Sequence, residues 1–167
     1  ISILFCAICL MTSIGAKVKL PALVSDGMVL QRNQTVKIWG KANAKEKINV
    51  EFLNKRYATI ADENGDWKIN LKLSNAGGPY RMSINEISLN EIYIGDVWLA
   101  SGQSNMELPM RRLKPLYENE IKTANNPNIR FFTVPQKYDF KTKREDLESG
   151  KWEATNSQTI LNFSGVA

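Results

Sequence analysis

Gly95-Asp96-Val97-Trp98-Leu99-Ala100-Ser101-Gly102-Gln103-Ser104-Asn105-Met106-Glu107 is the stretch on which the reading of this chain turns. Val97 to Ala100 form a continuous apolar run, the pattern of a parallel strand buried on both faces. The run stops abruptly in small and polar residues, and a helix start is predicted at Met106-Glu107. Ser104 then falls in a strand-to-helix turn, with its hydroxyl exposed and backbone N–H groups pointing outward beside it. Such a turn can hold a nucleophile and half of an oxyanion hole. In the competing reading Gly102 makes the turn and Ser104 or Asn105 caps the helix, since serine and asparagine are favoured caps.

Toward the amino terminus, Val18 to Ile94 consists of short runs that alternate apolar and polar residues. Ile48, Val50 and Phe52 alternate with Asn49 and Glu51; Trp67, Ile69, Leu71 and Leu73 alternate with Lys68, Asn70 and Lys72; Tyr80, Met82 and Ile84 repeat the pattern. A period of two marks half-buried strands. Turn chemistry at Asn54-Lys55, Asp62 to Asp66 and Ala76-Gly77-Gly78-Pro79 separates the runs. The spacing predicts an antiparallel β-sandwich of roughly seven strands over residues 18–94. Trp39 and Trp67 fall within these patterns, where core packing is the default over sugar stacking.

Toward the carboxy terminus, Leu113 to Ala124 carries a partial helical stripe, and Asn125-Asn126-Pro127-Asn128 ends it. Ile129 to Val134 reads as a second buried strand. Strand, helix and strand, with a candidate nucleophile after the first, predict the beginning of an α/β domain over 95–167. Residues 135–159 read as a long polar surface connection with Trp152 as its apolar anchor.

Composition narrows the chemistry. The net charge is +5 across 167 residues, with lysines and arginines scattered among acids along the sequence. The densest group, Lys137 to Arg144, reads as a solvated loop, so no nucleic-acid partner is predicted. Ile1 to Ile14 is almost wholly apolar, too short to span a bilayer and suited to the core of a signal peptide. Residues 1–16 are therefore assigned to a signal peptide truncated at its start, with export to the periplasm or outside and no stable membrane association after cleavage. Both cysteines, Cys6 and Cys9, lie inside it, so the mature chain offers no thiol or cysteine metal site. No Gly-rich phosphate cradle is visible. There is no histidine, the usual base of a serine hydrolase. The chain also ends in an apolar segment without a cap. It is therefore expected to be an amino-terminal piece of a longer protein, without appreciable esterase activity alone.

The Gly95–Glu107 run closely resembles the nucleophile block of the sialate O-acetylesterase family, a branch of the SGNH hydrolases. Gly27-Met28-Val29-Leu30-Gln31-Arg32, Val36 to Gly40, Ala61 to Trp67 and Gly77-Gly78-Pro79-Tyr80 resemble that family's amino-terminal region, in the family's order. So do Asn128-Ile129-Arg130-Phe131-Phe132 and Asn162-Phe163-Ser164-Gly165-Val166-Ala167. The match covers nearly the whole chain after about residue 20. The α/β-hydrolase elbow is excluded, because Met106 stands where it needs a small residue.

The resemblance implies a jelly-roll-like β-sandwich over 18–94 and the incomplete start of an SGNH, flavodoxin-like hydrolase domain over 95–167. It implies that Ser104 is the nucleophile and that its backbone N–H is one oxyanion donor. Gly102, Gln103 and Asn105 would shape the turn; Ser101 matches no catalytic position. A later glycine, a later asparagine and an Asp-x-x-His block would complete the site, and none is in this sequence. The implied reaction removes O-acetyl groups from sialic acids or other acetylated sugars, releasing acetate, with no metal or cofactor. The alternative is a non-catalytic carbohydrate-binding or interaction module built on the sandwich. If residues 1–16 are a signal peptide, mass analysis of the exported protein should find its first residue at Ala16 or Lys17. Recovery of Cys6 and Cys9 in the mature protein would refute the assignment.

Overall fold

A computed structural model describes residues 18–138 and 140–167. The predicted signal segment at 1–16, with Cys6 and Cys9, lies outside the described residues.

Seven strands occur between Val29 and Gly95: β1 (Val29–Gln31), β2 (Thr35–Lys41), β3 (Lys47–Phe52), β4 (Lys55–Ile60), β5 (Asp66–Lys72), β6 (Gly77–Ile84) and β7 (Ile87–Gly95). Five form a mixed sheet in the order β1-β7-β6-β3-β4, and β2 pairs with β5 in a two-stranded sheet. The period-two reading holds where it was clearest. Ile48, Val50 and Phe52 in β3, and Trp67, Ile69 and Leu71 in β5, are all buried, while the residues between them are exposed. These side chains join Ile38, Met82, Ile84, Ile92 and Ile94 in one apolar cluster shared by both sheets. Full burial of each such side chain contributes about 1.5–3 kcal/mol, which makes this cluster the principal source of the fold's stability.

Three details differ from the predicted pattern. The pairing of β1 with β7 is parallel, with Leu30 opposite Ile94, so the sheet is mixed rather than wholly antiparallel. The β3–β4 hairpin turns at Leu53-Asn54, one residue earlier than predicted, with φ of 52° and 58°. That two-residue loop places Phe52 opposite Lys55; a slip of one residue would turn Phe52 out of the core. Gly77, Gly78 and Pro79 open β6 instead of forming a free turn, and the ladder with β7 is irregular there. The Asp62–Asp66 turn forms as expected: the Asp62 carboxylate accepts from the N–H groups of Asn64 and Asp66 at 2.8 and 2.9 Å.

The second half has a different character. Short helices α1 (Ser104–Glu107), α2 (Met110–Leu113) and α3 (Glu118–Thr123) precede β8 (Asn125–Phe132), which pairs antiparallel with β9 (Trp152–Asn156). Helix appears in only part of the predicted 113–124 span, because the segment around Pro115 breaks it. The predicted parallel strand at Val97–Ala100 is absent. Val97, Trp98 and Leu99 are 43, 88 and 92% exposed, and no strand of the described residues lies beside them to take their backbone hydrogen bonds. Ile129 to Phe132 is a strand, but of its residues only Phe131 is buried. Part of the predicted polar connection, Trp152 to Asn156, is strand β9.

The two halves meet through a few anchors. The Arg130 guanidinium lies 4.5 Å from the Tyr93 ring centroid and 2.9 Å from the Glu91 carboxylate. Trp152 donates its indole N–H to the Leu23 carbonyl at 3.0 Å and packs against the edge of the main core. Gly27 lies beneath both, at φ +79°, where a Cβ would fall 2.7 Å from an Arg130 nitrogen.

Gly40 in β2 has no room for a side chain. A Cβ there would lie 2.5 Å from the Lys19 carbonyl oxygen and 2.8 Å from the Trp67 ring. Gly40→Ala should therefore lower the unfolding free energy of the protein by about 1–3 kcal/mol. The effect should appear as a lower denaturant midpoint at unchanged slope; an unmoved midpoint would show that Trp67 yields freely.

Candidate functional site

The β1–β7 ladder fixes where the Gly95–Glu107 run leaves the sheet. Beyond the last paired residues, Gln31 and Gly95, the Arg32 N–H donates to the Gly95 carbonyl at 2.8 Å. The Arg32 guanidinium meets the Asp96 carboxylate at 2.8 Å. The Val97 N–H donates to the Gln31 side-chain oxygen at 2.8 Å. The hydrogen bond and charge of Arg32 hold the Asp96 carboxyl below its ordinary range, and those of Asp96 raise the Arg32 guanidinium. A lowered carboxylate value means that the pair's contribution is present at neutral pH and is lost as pH falls through that lowered value. Two sequence blocks that look unrelated, Gly27–Arg32 and Gly95–Glu107, are thus parts of one joint.

Past Val97 the chain runs exposed to Gln103 and then turns into α1. Gln103 occupies the N-cap position in an extended conformation, without a side-chain capping bond. Its carbonyl accepts from the N–H groups of Met106 and Glu107 at 2.9 and 3.3 Å. Ser104 is the first helical residue and not the cap, which removes the competing explanation for that serine. Its side chain is exposed, and among the described residues no group lies within hydrogen-bond reach of its hydroxyl. The N–H groups of Ser104 and Asn105 likewise donate to no described acceptor. Ser104 therefore presents a free hydroxyl with two unspent backbone donors beside it. Gly102 packs against the helix, where a Cβ would sit 3.3 Å from the Met106 Cβ. Ser101 lies in the exposed stretch before the turn.

The turn rests on the last residues of the chain, an arrangement that the sequence reading did not foresee. The Met110 N–H donates to the Phe163 carbonyl at 2.9 Å, and the Gly165 N–H donates to the Leu108 carbonyl at 2.8 Å. Pro109 and Ser164 face each other in this short antiparallel bridge. The Ser164 hydroxyl lies 3.5 Å from the Met106 sulfur and accepts from the N–H groups of Val166 and Ala167. Arg111 donates to the Asn162 side chain at 3.0 Å. Phe163 stacks on the buried Phe131 with ring centroids 4.4 Å apart, tying the turn to β8. Glu107 accepts from Gln136. Among the described residues there is no group of three or more His, Cys, Asp or Glu placed to hold a metal ion, and no helix is long and apolar enough to cross a membrane.

No family model matches the chain. It is similar to the sialate O-acetylesterase of Mus musculus, with 24% identity over 137 residues that cover 73% of this chain and 25% of that one. The Homo sapiens sialate O-acetylesterase is 23% identical over 137 residues, covering 73% of this chain and 26% of that one. The chain thus spans about a quarter of the length of the curated relatives it matches. Among solved structures, the crystal structure of a carbohydrate acetylesterase from Xanthomonas citri superposes with a TM-score of 0.82 at 34% identity, over 90% of this chain and 35% of that one. The structural likeness extends over both the sheets and the Ser104 half, so the ordered blocks of similarity share one spatial framework. These likenesses support the family that the sequence blocks resemble, the sialate O-acetylesterases.

Proposed function

We propose that the chain is the amino-terminal part of an exported, serine-dependent carbohydrate O-acetylesterase that removes O-acetyl groups from sialic acids. The observation that carries this reading is the free Ser104 hydroxyl beside the unspent N–H groups of Ser104 and Asn105. The names of the relatives supply the substrate class. In this reading residues 18–94 form a β-sandwich of jelly-roll type and residues 95–167 begin an SGNH hydrolase domain. The exposed Val97–Leu99 run then becomes a covered strand once the remaining sheet lies beside it.

The chemistry follows from the turn. The Ser104 oxygen attacks the acetyl carbonyl carbon and loses its proton to a base. Negative charge builds on the carbonyl oxygen, where the Ser104 and Asn105 N–H groups stabilise it by several kcal/mol. Collapse of the tetrahedral species breaks the bond to the sugar oxygen, which leaves as a hydroxyl after taking a proton. Water then cleaves the acetyl-serine to acetate and free enzyme. The sequence contains no histidine, so an imidazole base would come from outside these 167 residues. Gln103 and Asn105 support the turn, and Gly102 allows its approach to Met106.

In the full-length protein, Ser104→Ala should lower acetate release from 9-O-acetylated sialic acid by about 10³-fold or more. Labelling by a fluorophosphonate probe should disappear with it. The melting temperature should hardly move, because Ser104 makes no side-chain hydrogen bond and alanine suits a first helical turn. Near-normal turnover in a folded Ser104→Ala protein would overturn the assignment and leave the binding-module alternative.

A further inference from the structure

Strand register collects lysines from distant parts of the sequence onto the outward face of the β2–β5 sheet. Ile38 and Gly40 point inward and are buried, so Lys37, Trp39 and Lys41 face out. Opposite them in β5, Lys68, Asn70 and Lys72 alternate with the buried Trp67, Ile69 and Leu71. Trp39 stands across from Lys68, Lys37 across from Asn70, Thr35 across from Lys72 and Lys41 across from Asp66. Lys19 forms an antiparallel bridge with Lys41, and residues paired in this way project to the same side. One face therefore carries five lysines and a single aspartate, in a chain whose whole net charge is +5.

Little on the molecule neutralises this face. Lys41 is paired with Asp66 at 2.8 Å and approached by Glu145 at 3.8 Å. Lys19, Lys37, Lys68 and Lys72 have no carboxylate within ion-pair distance among the described residues. Like charges directly opposite each other, as at Lys19 and Lys41, disfavour a sheet. At the centre sits Trp39, partly buried against the main core, with the Lys37 ammonium 5.3 Å from its ring centroid. Trp67, the other tryptophan of this sheet, is in the core.

We propose that this face is a docking surface for an anionic glycan chain bearing carboxylates. The lysine ammonium groups would pair with carboxylates along the chain, while a sugar ring lies against the Trp39 indole and Asn70 meets hydroxyls. Two other polyanions fit less well. Single-stranded nucleic acid is held on successive aromatic platforms, and Trp39 stands alone here. An anionic membrane is bound by apolar side chains that insert beside the basic ones, and the other outward positions are Thr35, Asn70, Asp66 and lysines. The choice of a glycan rests on the carbohydrate-esterase reading; the charged face itself does not.

The test measures binding and turnover separately in the full-length protein. Polysialic acid is titrated at low salt, with dextran of matched length as the neutral control and a 20-nucleotide oligothymidine as the alternative polyanion. Polysialic acid should bind, dextran should not, and the affinity should fall as salt rises. The exposed triple variant Lys37→Gln/Lys68→Gln/Lys72→Gln should keep its melting temperature and lose about tenfold or more in affinity. Trp39→Phe should weaken binding with the fold retained. Acetate release from a monomeric acetylated sialic acid should be unchanged in both variants, so a failure of the esterase reading would appear in the wild-type turnover alone. The proposal is overturned if polysialic acid binds no better than dextran, if oligothymidine binds as tightly, or if the triple variant keeps its affinity.

Discussion

The parallel ladder between β1 and β7 is the constraint on which the placement of the site depends. The short β1 and the long β7, from opposite ends of the sheet region, lie side by side with Leu30 across from Ile94, both buried. Their burial fixes the register, because a one-residue slip would expose both side chains. Everything that follows Gly95 inherits that register. The Arg32–Asp96 pair adds direction more than energy, since both side chains are about half exposed and such pairs contribute little to stability. Its value lies in holding the backbone at the point where the chain leaves the sheet, together with the hydrogen bond from Val97 to Gln31.

Burial is distributed unevenly along the chain. Between Val18 and Ile94 eighteen apolar residues form one continuous buried cluster, whereas beyond Gly95, among the described residues, only Ile121 and Phe131 reach that degree of burial. Trp98, Leu99, Leu116 and Phe140 stand largely in solvent. The first region holds itself together by its own core. The second is held by its edges: Arg130 and Trp152 fasten it to the sheets, and the Phe131–Phe163 stack fastens the Ser104 turn to β8. Regions with few buried contacts open at low free energy, so among the described residues the Ser104 half is the part whose ordering depends most on added contacts.

This contrast explains what the sequence could and could not disclose. The alternation in β3, β5 and β6 was legible because a strand with one wet face writes its environment into every second residue. The helix start near Ser104 was legible because an apolar run ending in small and polar residues marks a chain turning into a helix. Val97–Ala100 misled for a physical reason: an apolar run records the need for cover but not where the cover comes from. Ile129–Phe132 misled similarly, since a strand's apolar content does not say whether its neighbour runs parallel or antiparallel. The contacts of Ser164 and Gly165 with the turn join residues about sixty positions apart, and no local pattern marks them.

The lysine face shows the same limit in reverse. Along the sequence, Lys19, Lys37, Lys41, Lys68 and Lys72 are spread over more than fifty positions, and their spacing suggests nothing beyond solubility. Only the antiparallel register of β2 and β5 makes them neighbours, and only the Lys19–Lys41 bridge extends the row. A densely charged stretch such as Lys137 to Arg144 attracts attention in a sequence, yet there Lys137 is paired with Glu148, and so is Arg144. Charge matters for recognition where the fold gathers it with few counter-charges. The β2–β5 face meets that condition, and a carboxylate-bearing sugar chain supplies the missing charges without a rearrangement of the sheet. The strands of this face place their inward side chains in the main buried cluster, whereas the Ser104 turn has few buried contacts. An anionic chain would therefore be held on the half of the molecule with the larger buried core, apart from the half that carries Ser104.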